Sequence, residues 1–282
     1  MNRRRLIIFT RYPEPGCTKT RLIPALGARG AADLHRRMTE RIVQTARAVR
    51  ACGEVDVEVR FTGSDQVKMR QWLGPDLEHH PQTGHDLGER MVQAFQRAFD
   101  DGCKRVVLIG SDCPELNAGR IVRAFALLDD HEVVIGPTHD GGYCLMGMTR
   151  MVRPLFAHIP WGSDVVLERT LEVVKSTGLR WTLLEPLTDI DTPKDLPLWE
   201  RITGLSSKEQ RSISVIIPTL NEAETIESTI HSVRQGDPLE VIVADGGSGD
   251  STIDVAQQYA DNVISCPRGR SHQMNAGAEV AQ

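Results

Sequence analysis

Val106-Val-Leu-Ile109 is a continuous apolar run, and Gly110-Ser-Asp112-Cys-Pro114 follows it without a break. Such a run reads as a strand covered on both faces, the pattern of a parallel sheet. The turn that ends it delivers one carboxylate, Asp112, to the strand's carboxyl end, where open α/β sheets bind their ligands. A carboxylate there can hold a metal ion or a substrate group; equally, it can cap the helix that follows. A second acidic pair, Asp189 and Asp191, stands just before Thr192-Pro-Lys-Asp195. A helix start with a capping threonine, proline at the first position and an acid at the third accounts for Thr192 and Asp195. It leaves Asp189 and Asp191 without a structural reason. Carboxylates from separate strand ends can hold a hard cation while phosphate oxygens complete its octahedron, and Asp112 with Asp191 is the expected pair.

Counter-charge comes from Thr10-Arg-Tyr-Pro-Glu-Pro-Gly-Cys-Thr-Lys-Thr-Arg21, the loop behind the strand Leu6–Phe9. Two prolines and a glycine forbid regular structure there, while Arg11, Lys19 and Arg21 supply cationic donors. The loop suits a nucleotide's phosphates, or is a plain surface loop; it lacks the GxxxxGK[ST] spacing of a Walker A sequence. Pro137-Thr-His-Asp-Gly-Gly-Tyr143 sets another acid, Asp140, at a second strand end. Gly141 and Gly142 permit positive φ or close backbone approach to a ligand, and Asp-Gly is also a hairpin signal. Asp86 and Glu89 stand at capping-box spacing, with Arg90 able to reach a ligand beside them. His79, His80 and His85 lack partners at zinc spacing and read as loop or surface residues.

These groups need a scaffold of alternating strands and helices. Strands are expected at 6–9, 54–61, 106–109, 132–136, 143–147 and 180–184, with helices over 30–51, 65–73, 117–128 and 164–177 and from about 86 onward. The polar segment 204–212 reads as a linker between a first domain, 1–203, and a second, 213–282. In the second, Ser214–Pro218 and Glu240–Ala244 are strands, 262–266 a third, and Asn221 with Glu224, and Ser251 with Asp254, are spaced to cap helices. At 282 residues the chain has room for both cores, and a net charge of -5 without a basic face argues against nucleic acid. No apolar run approaches bilayer length. Arg3-Arg4-Arg5 reads as a solvated strand edge. Six scattered cysteines without a CxxC pair fit reduced thiols in a cytoplasmic protein.

In order, "RYPEPGCTKTRL", "HDLGERM", "LIGSDCPEL", "GPTHDGGYCLMG", "WGSDVVLERT" and "DIDTPKDL" resemble the DUF2064 family across residues 6–199. That group is GT-A-like, related to nucleotidyltransferases and assigned to glycosyltransferases. The resemblance implies a nucleotide-diphospho-sugar-transferase fold: an α/β, Rossmann-type, mostly parallel sheet flanked by helices. It casts Asp112 and Asp191 as ligands of Mg²⁺ or Mn²⁺, Arg11, Lys19 and Arg21 as phosphate contacts, and Asp140-Gly141-Gly142 as a wall of the substrate pocket. The family more often has Gly-Asp-Leu-Gly and Trp-Ser-Thr where this chain has His85-Asp-Leu-Gly88 and Trp161-Gly-Ser163. "SVIIPTLNE", "VIVADGGSGDST" and "GRSHQMNAGA" resemble the front of a family 2 glycosyltransferase, a partial second GT-A βαβ unit. By that likeness Pro218, Asn221, Glu222 and Asp245 line a nucleoside pocket and Arg270 faces a diphosphate. A half-domain of this kind leaves a sheet edge and apolar surface open, to be covered by a homo-oligomer or another partner, and is expected to have no transferase activity of its own. The two families are linked with arsenosugar biosynthesis, an implication of the resemblance alone.

Three functions fit these residues. The first is a metal-dependent glycosyltransferase that takes a nucleotide sugar and a small-molecule acceptor, with Asp140 as the base. The second is a nucleotidyltransferase that joins an NTP to a phosphorylated small molecule and releases pyrophosphate. The third is an inactive nucleotide-binding protein.

Overall fold

A computed structural model describes residues 3–53, 55–204, 213–234, 238 and 240–281. The chain divides into two compact units, Met1–Lys208 and Glu209–Gln282. In the first, the apolar runs become strands β1 (Arg4–Arg11), β2 (Val55–Thr62), β3 (Glu78–Pro81), β4 (Arg105–Gly110), β5 (Val133–Pro137), β6 (Tyr143–Met148) and β7 (Trp181–Leu183). They form one sheet in the order β3-β2-β1-β4-β6-β5-β7. β6 alone runs against its neighbours, pairing antiparallel with β4 and β5. The remaining pairings are parallel, so the carboxyl ends of the other six strands share one rim with the turn that enters β6.

Alternation along β1 decides what each face packs against. Leu6 and Ile8 join Val57, Val59 and Phe61 beneath α1 (Ile23–Cys52) and α4 (Ala118–Leu127), with α2 (Gln66–Leu73) at the margin. Ile7 and Phe9 face α3 (Leu87–Asp100), whose Met91, Phe95 and Ala98 complete the second layer, and α5 (Val166–Ser176) adds Val174 to it. α1 is broken at Gly27, whose φ of 71° and ψ of 168° interrupt the helix, and its regular part covers the expected segment. α3 starts where Asp86 accepts from the Glu89 N–H at 2.8 Å, as the spacing predicted.

Four expectations are corrected. β3 was not legible: Glu-His-His-Pro has no strand periodicity, and pairing with β2 imposes it. His79 is consequently 1% exposed rather than a surface group. Arg5 is no solvated edge residue either; it is buried inside β1 and paired with Glu58 and Asp101. Arg90 turns back to the carbonyl of Gly84 at 3.2 Å.

α6 (Leu196–Thr203) closes the first unit at Gly204, which takes a left-handed φ of 67°. The rest of the expected linker, 205–212, lies outside the described residues. The second unit has strands β8 (Ser214–Thr219), β9 (Glu240–Asp245) and β10 (Asn262–Ser265) in parallel order β10-β9-β8, with α7 (Ile226–Arg234), α8 (Thr252–Tyr259) and α9 (Arg270–Val280). β8 lies at the edge of this sheet and is half-buried along most of its length. Two expected caps are replaced. Asp250 rather than Ser251 accepts from the Thr252 N–H, at 3.0 Å. Asn221 spends its side-chain oxygen on the Gly249 N–H at 2.8 Å, and α7 begins later, at Ile226.

Phe95 is fully buried, its ring stacked on Phe99 at a centroid distance of 6.3 Å and tilted against Phe156 at 5.8 Å. Phe95→Ala is expected to destabilise the first unit by about 3–5 kcal/mol. The measurement is the urea midpoint followed by tryptophan fluorescence, since Trp72, Trp161, Trp181 and Trp199 all lie in that unit.

Candidate functional site at the rim of the first sheet

A cavity of about 800 Å³ opens at this rim, within the range of small-molecule sites. Its centre is an ion cluster. Lys19 Nζ lies 3.2 Å from Asp112 Oδ1 and 3.4 Å from Asp191 Oδ1, with only 6% of the lysine side chain exposed. The two carboxylate oxygens are therefore nearer one another than those distances combined. Arg21 reaches the other Asp191 oxygen at 2.6 Å.

Apolar burial brings these groups together. Leu22, three residues after Lys19, and Ile190, between the two acids, are both fully buried in one cluster with Leu34, Met38 and Trp199. The Ile190 N–H donates to the Asp112 carbonyl at 2.9 Å, tying the 189–191 loop to the end of β4. Asp195 accepts from the N–H groups of Asp191 and Thr192 and from the Thr192 hydroxyl, which fixes the backbone that aims Asp191. Lys19 takes left-handed angles, φ 49° and ψ 47°, a strained state for a residue with a Cβ. Arg11 braces the loop from outside, donating to the Cys17 carbonyl at 3.0 Å. Beneath the cluster lies a buried group of Ser111, Thr10, Thr39 and His35, and the His35 ring stands 3.6 Å from Asp112 Oδ1.

The electrostatics follow from this crowding. Burial opposes the charge on Lys19, but Asp112 and Asp191 outweigh it and raise its pKa. Burial would push the Asp112 carboxyl up, yet Lys19 and then His35 hold it well below the usual carboxylate range. Asp189 goes the other way: burial, then the like charge of Asp140, pushes it up to about 6.

The acids suit a hard divalent cation. Two carboxylates converge, and the buried Asp112 Oδ1 has Lys19 Nζ at 3.2 Å as its ion-pair partner, so an entering cation would share or displace that ammonium. Among the described residues, three potential ligand atoms gather only at Glu58, Glu78 and His80. There Glu58 is already paired with Arg5 and Arg60, and none of the three lines the cavity.

Asp140 lines the cavity at the β5–β6 turn, where its Oδ1 accepts from the Thr138 hydroxyl at 2.5 Å and the Gly142 N–H at 3.0 Å. Gly141 has a φ of 89°, and a Cβ there would overlap the Asp164 carbonyl. The pair thus makes both a tight turn and a close approach, although the chain approached is the protein's own. Asn221 and Asp245 lie in the second unit. Asp245 is fully buried, its carboxylate taken by the N–H groups of Gly247 and Ser248 and by the Ser248 hydroxyl. Arg270 is exposed at the start of α9. His35, Ile190 and Gln82 were not singled out from the sequence; Gln82 lines the cavity and its side-chain amide donates to the carbonyls of Thr10 and Arg60.

Residues 45–163 match the family described as an uncharacterized protein conserved in bacteria (DUF2064), and residues 214–282 match glycosyl transferase family 2. Over 72% of its length the chain is 36% identical to a candidate nucleotide-diphospho-sugar transferase of Desulfovibrio desulfuricans G20, covers 89% of it and superposes with a TM-score of 0.67. The 4-diphosphocytidyl-2C-methyl-D-erythritol synthase of Anaerococcus prevotii DSM 20548 gives a TM-score of 0.50 at 11% identity, over 72% of this chain and 98% of that one, a likeness of fold alone. The uncharacterized glycosyltransferase YibD of Escherichia coli K12 is 37% identical over 73 residues, 25% of this chain and 20% of that protein. The chain thus spans about a fifth of the length of the curated relative it matches. Sheet, rim cavity and likeness together define a transferase with the GT-A-like nucleotide-diphospho-sugar transferase fold. The chain belongs to the DUF2064 family and carries a family 2 glycosyltransferase segment at residues 214–282.

Because the folded pKa of Asp189 exceeds its ordinary 3.8 and stands at about 6, the folded state holds a proton that the unfolded state has released between those values. Stability is therefore lost as pH rises through that window. Asp189→Asn removes the penalty. In buffer with chelator its unfolding free energy, from urea titration, is expected to match the parent at pH 4 and to exceed it at pH 8, by about 1–2 kcal/mol after solvent screening.

Proposed function

We propose that the first unit is a metal-dependent glycosyltransferase that moves a sugar from a nucleotide diphosphate donor to a small-molecule acceptor. The observation that carries this reading is the Lys19 ammonium held between Asp112 and Asp191 at the rim, in a chain 36% identical to a candidate nucleotide-diphospho-sugar transferase. Asp112 and Asp191 would hold Mg²⁺ or Mn²⁺, which when bound supplies Lewis-acid neutralisation of the departing diphosphate. Lys19 is already charged in place and shares that neutralisation, so little reorganisation accompanies bond cleavage. Arg21 and Arg11 extend the positive surface toward solvent.

The incoming hydroxyl gives up its one proton to the carboxylate of Asp140, which lines the other side of the cavity with Asp189. Thr138 and Gly142 fix one Asp140 oxygen and leave its partner, Oδ2, as the acceptor. We place the protein in the cytoplasm, where its free cysteines would stay reduced. The reading concerns the first unit; in the second, Asp245 is engaged by its own loop.

Titration calorimetry of nucleoside diphosphates with Mn²⁺ tests the site. Lys19→Ala, Asp112→Asn and Asp191→Asn are each expected to weaken binding at least tenfold, and chelator to abolish the metal-dependent part. Unchanged affinity in all three variants would falsify the assignment. NDP release from a sugar nucleotide supports glycosyl transfer, whereas pyrophosphate release from an NTP points to nucleotidyl transfer instead.

A further inference from the structure

The rim cavity is electrically lopsided. Its basic residues, Arg11, Lys19, Arg21 and His35, come from the end of β1, the loop behind it and α1. The opposite arm is formed by the β5–β6 turn, the loop before α5 and Asp189. Among the described residues that line it, this arm carries Asp140, Asp164 and Asp189 and no lysine, arginine or histidine. Its wall is aromatic: Tyr143 and Trp161 meet edge to face, with ring centroids 6.3 Å apart.

That wall is built in place. The Trp161 N–H donates to the Ile159 carbonyl at 2.9 Å, and the Ser163 hydroxyl to the Pro160 carbonyl at 2.7 Å. Two glycines then clamp the loop from outside. At Gly88, in the first turn of α3, a Cβ would stand 2.7 Å from the Trp161 indole nitrogen. At Gly141 a Cβ would overlap the Asp164 carbonyl, and the Gly141 carbonyl accepts the Leu167 N–H at 2.8 Å. The three segments "HDLGERM", "HDGGY" and "WGSD" thus converge on one fixed surface.

Asp140 and Asp164 are exposed and Asp189 half-buried, and their like charge disfavours a phosphorylated or carboxylated ligand in this arm. Ionised carboxylates only accept hydrogen bonds, so they match a ligand rich in hydroxyl donors, with the indole as a flat apolar floor. We infer that the arm bounded by Asp140, Trp161 and Asp164 takes an uncharged polyhydroxylated ring and discriminates against sugar phosphates. This rests on the reading of the cavity as a nucleotide-sugar site and names what lies beyond the diphosphate. The ring is either the donor's sugar or the acceptor.

The test uses the full chain with Mn²⁺. Calorimetry with UDP, GDP, CDP, ADP and dTDP first finds the nucleotide; the matching NDP-glucose is then compared with the bare NDP. If the donor sugar occupies the arm, NDP-glucose binds at least fivefold tighter than NDP, Trp161→Ala erases that difference with NDP affinity unchanged, and Trp161→Phe retains most of it. If the acceptor occupies it, the two ligands bind alike. Then Trp161→Ala and Asp164→Asn each raise the KM of a neutral polyol or hexose acceptor about tenfold, leaving the donor's KM unmoved. The inference is overturned by a sugar 1-phosphate or a cationic amine serving as the Trp161-dependent partner. It is equally overturned if sugar and acceptor parameters ignore both substitutions while NDP still binds. Failure of every nucleotide to bind removes the parent reading, and this one with it.

Discussion

An ammonium that is 94% enclosed keeps its proton only if acids stand beside it, and carboxylates so close together stay ionised only if a cation lies between them. Lys19, Asp112 and Asp191 satisfy both conditions at once, across 172 residues of sequence between the lysine and the second acid. Much of the surrounding construction serves that meeting. Leu22 and Ile190 share a dry cluster that draws the two loops together, Asp195 pins the backbone behind Asp191, and Lys19 accepts left-handed angles. Low-dielectric surroundings would penalise any member of the cluster left unpaired, and they strengthen the attraction between the members when paired.

Much of the fold was legible because its strongest signals are local. Val106–Ile109 and Leu6–Phe9 read as covered strands, and Asp112, just after the first of them, as an acid at a strand's carboxyl end. The Asp86–Glu89 spacing identified a helix start that the hydrogen bonds reproduce. β3 was lost because its four residues carry no pattern of their own and owe their conformation to β2. Arg5 looked solvated for a similar reason: Glu58 and Asp101, which neutralise it, are remote along the chain.

In the site, types and spacing singled out Asp112, Asp191, Lys19 and Arg21, and left Asp189 as an acid without a structural excuse. What could not be read was the support. His35 lies on a helix face that resembles any other buried face, and Ile190 is one more apolar residue in a loop. Their roles exist only once Asp112 is beside them. The glycines were half legible: Gly141 was expected to allow a turn or a close approach, but the chain it admits is the 161–164 loop. In the second unit, Asn221 and Asp245 were read as lining a nucleoside pocket; the loop joining β9 to α8 donates N–H groups to the side-chain oxygens of both.

The reversed direction of β6 carries a consequence of its own. A sheet of purely parallel strands reaches the same rim again only after a long return through a helix. Here a short turn between β5 and β6 suffices, and it begins and ends at the cavity. A change in that turn would remodel the rim and the 161–164 loop packed on it, while the strand pairings below stay in place.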